Sequence, residues 1–298
     1  MATRNPTTRA NYEPNSWAGQ EGGPREDPAR GFTTYPSQLA GEKRRLRPES
    51  FADHYSQARQ FYISQTEAER RHIANAFVFE LSKCDEVAIR TRMVAGLRNV
   101  HEELAQAVAD GLGLSELPEA ASAAREPVTD LPPSAALSIL ANGPDSFAGR
   151  KLGVLLTDGA DSALLTELRD AAHKLGVTVE LVAPTVGGVT TNDGSTISAD
   201  QKIDGGPSVL YDAVAVVADE DGAVTLAGQP AARDFITDAY AHCKFIGHTA
   251  AAASLFDATG LADKLDEGIL ALGNDGSVDT FFDACSQLRF WPREATFA

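Results

Sequence analysis

Apolar side chains recur at helical spacing between residues 66 and 110. Ile73, Ala76, Phe77, Leu81 and Cys84 fall on one stripe, with Glu80 its polar member. Ahead of it, Thr66-Glu67-Ala68-Glu69 is a capping-box pattern, with Thr66 as N-cap and Glu69 reaching back. Asp85 to Asn99 places Val87, Val94 and Leu97 on one face, and Asp85-Glu86 suits the positive end of a helix dipole. A third helix runs from about His101 to Asp110, with Leu104, Ala107 and Val108 inward. It stops at Gly111-Leu112-Gly113, where glycine takes the left-handed cap. Residues 50–113 therefore predict a small all-α unit with short connections.

The pattern then changes to strand and helix in alternation. Residues 151–157, 177–183, 212–218 and 244–248 are short apolar runs. Between and after them lie helices at about 161–175, 231–243 and 252–258, and a last one carrying Val278, Phe281, Phe282 and Leu288. The face of the first is Leu164, Leu165, Leu168, Ala171, Ala172 and Leu175, closed by Gly176. Asn192-Asp193-Gly194 favours a small hairpin. Residues 149–298 thus predict a mostly parallel, doubly wound α/β sheet covered on both faces, with flavodoxin-like order the first choice.

Two stretches have neither period. Residues 1–49 are rich in Pro, Gly, Arg and Glu, yet Tyr12, Trp17, Phe32 and Tyr35 punctuate them. A purely disordered tail lacks aromatics, so an extended arm that docks them on another surface is expected. Residues 114–148 carry Pro118, Pro127, Pro132, Pro133 and Pro144, and read as a stiff, exposed linker.

Charge sharpens this division. Residues 1–111 hold 15 basic and 15 acidic side chains, whereas 112–298 hold 11 and 27, the whole net charge of −16. That argues against nucleic acid as a partner of the second part. No apolar run is long enough for a membrane span, and the N-terminus has no secretory h-region. Cys84, Cys243 and Cys285 are widely spaced and odd in number, which fits free thiols in a reducing, cytoplasmic setting.

Motifs for chemistry are sparse. Gly187-Gly188 and Gly205-Gly206 read as turns, because neither opens a helix after a strand as phosphate binding needs. His242-Cys243 and His248 lack a fourth metal ligand, and Cys243 and Cys285 read as buried and inert. His54, His72 and His101 read as packing or surface residues. The best enzymatic cluster is Asp158, Asp161 and His248 at strand ends, set against plain solvated loops.

Asn11-Tyr12-Glu13-Pro14-Asn15-Ser16 is similar to the Asn-Tyr-x-Pro-Asn-Ser segment of haem catalases, which follows their haem-binding core. Residues 70–83, with His54-Tyr55-Ser56, Arg59-Gln60-Phe61-Tyr62 and Gln65-Thr66, resemble the catalase C-terminal helical domain. Residues 149–298 resemble the extra flavodoxin-like domain of large-subunit catalases. The resemblance implies peroxide removal and haem in the parent enzyme, and tetramers in which arms wrap neighbours. Its iron-binding Arg-x-Phe-x-Tyr-x-Asp pattern lies upstream of the Asn-Tyr segment. Only ten residues precede Asn11, and none is Tyr or His. Arg59-Gln60-Phe61-Tyr62 has the residue types but the wrong spacing. No catalytic residue, haem ligand or metal ligand is expected in this chain, and none of its activity alone.

The last domain also resembles the PfpI-like proteases and glutamine amidotransferases. Active members carry a Cys on a strained strand-to-helix turn and a helper acid. Those positions read His248, within Ile246-Gly247-His248-Thr249-Ala250, and Leu164, so no hydrolase is expected. The reading is a C-terminal fragment of a large-subunit catalase that serves assembly and stability, with the catalase barrel or other copies as partners. The alternative is a stand-alone binding or chaperone-like module, its exposed aromatics being Trp17, Phe61, Phe77 and Phe79.

Overall fold

The computed structural model describes residues 36–296. The chain divides after Asp53 into two units. In the first, the described residues are largely exposed coil with a 3-10 turn at Glu49–Ala52. The aromatics expected to dock the arm, Tyr12, Trp17, Phe32 and Tyr35, lie outside the described residues.

The second unit begins with four helices: α1 (Ser56–Ile63), α2 (Glu67–Ser82), α3 (Val87–Leu97) and α4 (Glu102–Gly111). The capping box at α2 forms on both sides. Glu69 N donates to Thr66 Oγ1 at 3.4 Å, and Thr66 N donates to Glu69 Oε2 at 2.8 Å. Leu81, Val94, Leu97, Leu104 and Val108 join one core. Three inward assignments differ from expectation: Ala76, Val87 and Ala107 are exposed, while Ala74, Ala105 and Ala109 are buried. Helix α2 meets the end of α4 through Val78, whose Cγ1 would lie 3.1 Å from a Cβ at Gly111. That contact turns the buried face toward Ala74, Val78 and Leu81, and alanine itself is too weakly apolar to mark a face. Gly113 ends the unit with φ 67°.

Residues 114–148 are extended and proline-rich, but they are not a free linker. Ala121 N donates to Ala95 O at 2.9 Å, and Asn99 Nδ2 to Ala121 O at 2.8 Å. Further on, Val128 N reaches Ser56 Oγ and Ser134 N reaches Ser64 Oγ, at 2.7 and 2.8 Å. Glu69 then takes Ser138 Oγ at 2.7 Å and Leu140 N at 3.1 Å. The segment is a strap across the helices, with Ser138 buried. Side-chain oxygens on α1 and α2 satisfy its backbone donors, a match that composition cannot reveal.

The sheet follows. Its parallel strands are β1 (Lys151–Leu156), β2 (Thr178–Ala183), β5 (Gln201–Lys202), β6 (Ala213–Val217), β7 (Ile246–His248) and β8 (Ile269–Ala271), in the order β5-β2-β1-β6-β7-β8. The expected hairpin pairs β3 (Val189–Thr190) with β4 (Thr196–Ile197). Helices α5 (Ser162–Leu175), α6 (Glu220–Ala227), α7 (Pro230–Ala241), α8 (Ala253–Thr259) and α9 (Val278–Cys285) complete it. Strand β1 shows the period of two. Leu152, Val154 and Leu156 join the core beneath α5 and α9, while Leu155 joins the opposite core with Phe235 and Ile236 of α7. Between them Gly153 leaves room for the Tyr211 ring, which a Cβ would strike.

Helix α6 and the short strands β5 and β8 are absent from the sequence reading. Two or three residues carry too little pattern, and α6 opens on Glu220, Asp221 and Gly222, which read as loop. Leu175, expected inward, is 45% exposed, because α5 ends there at Gly176 with φ 71°. Helix α9 stops at Cys285, short of Leu288, which turns back at φ 64°.

Candidate functional site: the carboxyl ends of the strands

The strand order reverses about β1, with β2 on one side and β6 on the other. Ligands of open α/β sheets bind outside such a point, at the carboxyl ends. Two clefts open there, of about 390 and 550 Å3. The first is lined by Asp158, Thr185 and Asp221, the second by Asp161, Asn192 and Asp275, and both by Gly159 and Asp219.

Three of these carboxylates already have a backbone task. Asp158 Oδ1 accepts Thr190 N at 2.7 Å and so holds the hairpin. Asp161 accepts Ala163 N and Leu164 N at 2.9 and 3.1 Å, capping α5. Asp219 accepts Gly222 N at 2.7 Å, capping α6. Its carboxylate lies over Gly159, which has φ 81° and no space for a Cβ. The crevice at the reversal is thus filled by Asp219. Sequence reasoning passed over that residue, although an acid after the apolar run 213–218 is an N-cap signal.

His248 does not join this group. It lines neither cleft, and its ring packs on Phe256 with centroids 5.0 Å apart. Nδ1 lies 3.0 Å from Thr249 O. Burial pushes the imidazole below its ordinary pKa, so it is neutral near pH 7. The structure therefore separates the candidate trio, as solvated strand-end loops would: Asp158 in one cleft, Asp161 in the other, His248 in neither.

The elbow residues run from β7 into a 3-10 turn at Ala250–Ala252 and then α8. Among the described residues, only Cys243 and Leu288 are non-glycine with positive φ, so His248 carries no left-handed strain. Leu164 is buried in the core. Cys243 and Cys285 are buried, and burial raises both thiols, so neither is a ready thiolate. Gly188 and Gly205 lie in turns that open no α-helix. Among the described residues no three His, Cys, Asp or Glu side chains group as a metal would need. No helix among them is long and apolar enough to cross a membrane.

Haem iron is held by His, tyrosinate, Cys thiolate or Met, and in the catalase resemblance by an ionised tyrosine. Tyr62 is buried among the helices beneath Arg70, and burial raises its phenol, so it stays protonated. His72 is held by Glu294 at 2.5 Å and by the Trp291 ring. His54 is exposed on an open groove beside Ile89 and Met93. His101 packs against Tyr62, with ring centroids 5.1 Å apart. These residues do not fit a haem.

Comparison with known proteins agrees with the sequence resemblance. Residues 48–112 match the family described as catalase-related immune-responsive, and residues 148–295 match the C-terminal domain found in long catalases. Catalase C of Rhizobium meliloti (strain 1021) is 52% identical over 99% of this chain and 41% of its own length. Catalase HPII of Pseudomonas putida is 37% identical over 96% and 40%, and that of Mycobacterium avium 36% over 95% and 39%. The chain spans about two-fifths of the length of the curated relatives it matches. With both matched families accounting for its helical and α/β parts, the chain belongs to the large-subunit catalases and is a C-terminal portion of one.

Proposed function

We propose that this chain serves subunit assembly and stability in a large-subunit catalase, whose peroxide chemistry belongs to a haem-binding barrel outside these residues. The observation that carries this is coverage: 99% of this chain aligns with only 41% of Catalase C. The helical unit adds support, because Phe79, Val87 and Met93 are 62, 57 and 42% exposed. Apolar surface of this kind marks an interaction face. In this reading residues 1–49 wrap a neighbour, 50–113 pack on the barrel, 114–148 connect, and 149–298 cap the outside. The partners are the barrel and further copies, in a tetramer as in the parent family.

The order β2-β1-β6-β7-β8 supports a flavodoxin-like, PfpI-like ancestry for the last domain. His248 and Leu164, standing where nucleophile and acid would be, support a domain without hydrolase chemistry. The Tyr62 phenol, raised by burial, is poorly suited to ligate haem iron, which fits haem being held by the barrel. Three free cysteines support a cytoplasmic setting.

The test is co-expression with the haem-binding barrel of a large-subunit catalase on a separate chain. Co-purification, a Soret band and slower thermal inactivation than the barrel alone are expected. If the two never co-purify, the assembly role is wrong. The exposure of Phe61 and Phe79, 46 and 62%, also favours the chaperone-like alternative. Phe77, counted with them from sequence, packs against the helical core and does not contribute. Suppression of client aggregation that Phe79→Ser abolishes would favour that reading over assembly.

A further inference from the structure

The opposite end of the sheet, at the amino ends of β1 and β7, gathers positive charge. Lys244 precedes β7 and is 3% exposed. Its ammonium donates to Ser208 O at 2.5 Å and Tyr211 O at 2.6 Å. Arg289 follows the left-handed turn at Leu288 and is half-buried. Its Nη1 donates to Asp212 O and Leu288 O at 3.1 and 2.6 Å, while Nε and Nη2 donate to no acceptor among the described residues. Among the described residues neither cation forms a carboxylate ion pair. Asp212 is the carboxylate beside them, and it is shared: Oδ2 accepts Lys151 N at 3.0 Å, and Oδ1 lies 3.8 Å from Arg150 Nη1. Glu294, also at this place, is committed to Arg71 and His72 on α2.

Lys244, Arg289 and Arg150 thus gather about Asp212, with the Asp238 charge also acting on Lys244, in a half of the chain that is otherwise strongly acidic. Buried charge is costly unless a counter-charge meets it. The strain is visible in Lys244, whose pKa is lowered to about 8 by burial and then by the Arg289 charge. A cleft of about 320 Å3 opens beside both cations, with Val209, His242 and Trp291 on its walls. A guanidinium edge with unused N–H groups matches the planar, two-oxygen face of a carboxylate or phosphate.

We propose that this cleft binds a small oxyanion, phosphate or a low-molecular-weight carboxylate, gripped by Arg289 and compensating the charge of Lys244. The site lies at the sheet end remote from the carboxyl-end clefts and does not depend on the assembly role.

The test uses the full chain in phosphate-free buffer, with ionic strength held constant by chloride. Inorganic phosphate and succinate are titrated separately by calorimetry, and thermal melting is followed at each concentration. Saturable one-site binding of either anion and a rising melting temperature are expected. The anion that saturates identifies the source. Val209→Asp places a carboxylate at the lip from a side chain that is 66% exposed, so folding is spared. It should weaken binding about tenfold or more, whereas Val209→Asn should not. Arg289→Gln should weaken it similarly while the apo protein melts no lower, since one of three repelling cations is gone. Absence of saturable heat with both anions would overturn the proposal. So would affinity unchanged both in Val209→Asp and in a folded Arg289→Gln.

Discussion

Single positions in this chain carry tight steric and electrostatic demands. Gly153 sits in the middle of β1 with the Tyr211 ring pressed onto it. Gly153→Ala is expected to cost about 1–3 kcal/mol through overpacking, seen as a lower urea midpoint at unchanged slope. Arg293 is 1% exposed, forks onto Asp266 at 2.6 and 2.8 Å, and donates to Lys244 O at 2.7 Å. Arg293→Ala leaves the half-buried Asp266 without its partner and is expected to cost about 1.5–3 kcal/mol in denaturant titration. Arg293→Lys should recover little of that, because an ammonium cannot reproduce the fork. Neither demand shows in sequence. Gly153 lies inside the apolar run 151–157 and Arg293 follows the last predicted helix, and no local pattern marks either position.

Among elements, the strap over residues 114–148 is tied at several points, and Glu69 is the carboxylate that holds its end at Ser138 and Leu140. Burial alone would raise the Glu69 carboxyl. The amides of Thr66 and Leu140 and the hydroxyls of Ser138 and Thr66 outweigh it and hold the carboxyl at about 2. A depressed folded-state pKa means stability that is fully present above the unfolded value, 4.5, and lost as pH falls toward about 2. Wild type should therefore exceed Glu69→Gln by about 2 kcal/mol at pH 7, and the gap should close between pH 4.5 and about 2. Proteolysis within residues 120–140 should quicken in the variant, because the strap loosens before the helices melt. The capping box itself is legible from Thr66 and Glu69. The second use of the same carboxylate, on Ser138 and Leu140 some seventy residues on, is not.

At the scale of the whole molecule, reactivity and charge separate into distinct regions. Cys243 and Cys285 are buried with thiols raised by burial, and Cys84 is half-buried. In native buffer a thiol reagent should label at most Cys84, slowly, and all three only in denaturant; rapid labelling of Cys243 would contradict the packing of β7. Asp158, Asp161 and Asp219 of the acidic second part, by contrast, are put to local use as caps and a hairpin tie at the carboxyl ends of the strands.

The sequence by itself determined the order of the longer elements, the helical unit with its capping box, the alternating α/β part and the kinship with large-subunit catalases. Those rest on local period, on caps and turns, and on contiguous motifs, all of which are written along the chain. Only the tertiary structure decided which alanines of α2 and α4 face inward, that the proline-rich stretch is tied down, and that Asp158, Asp161 and His248 do not meet. It alone placed Lys244, Arg289 and Asp212 together, from three segments far apart in the chain. These outcomes depend on which helix face and which strand neighbour win the packing. That competition is settled by contacts between distant residues, and no local pattern encodes it.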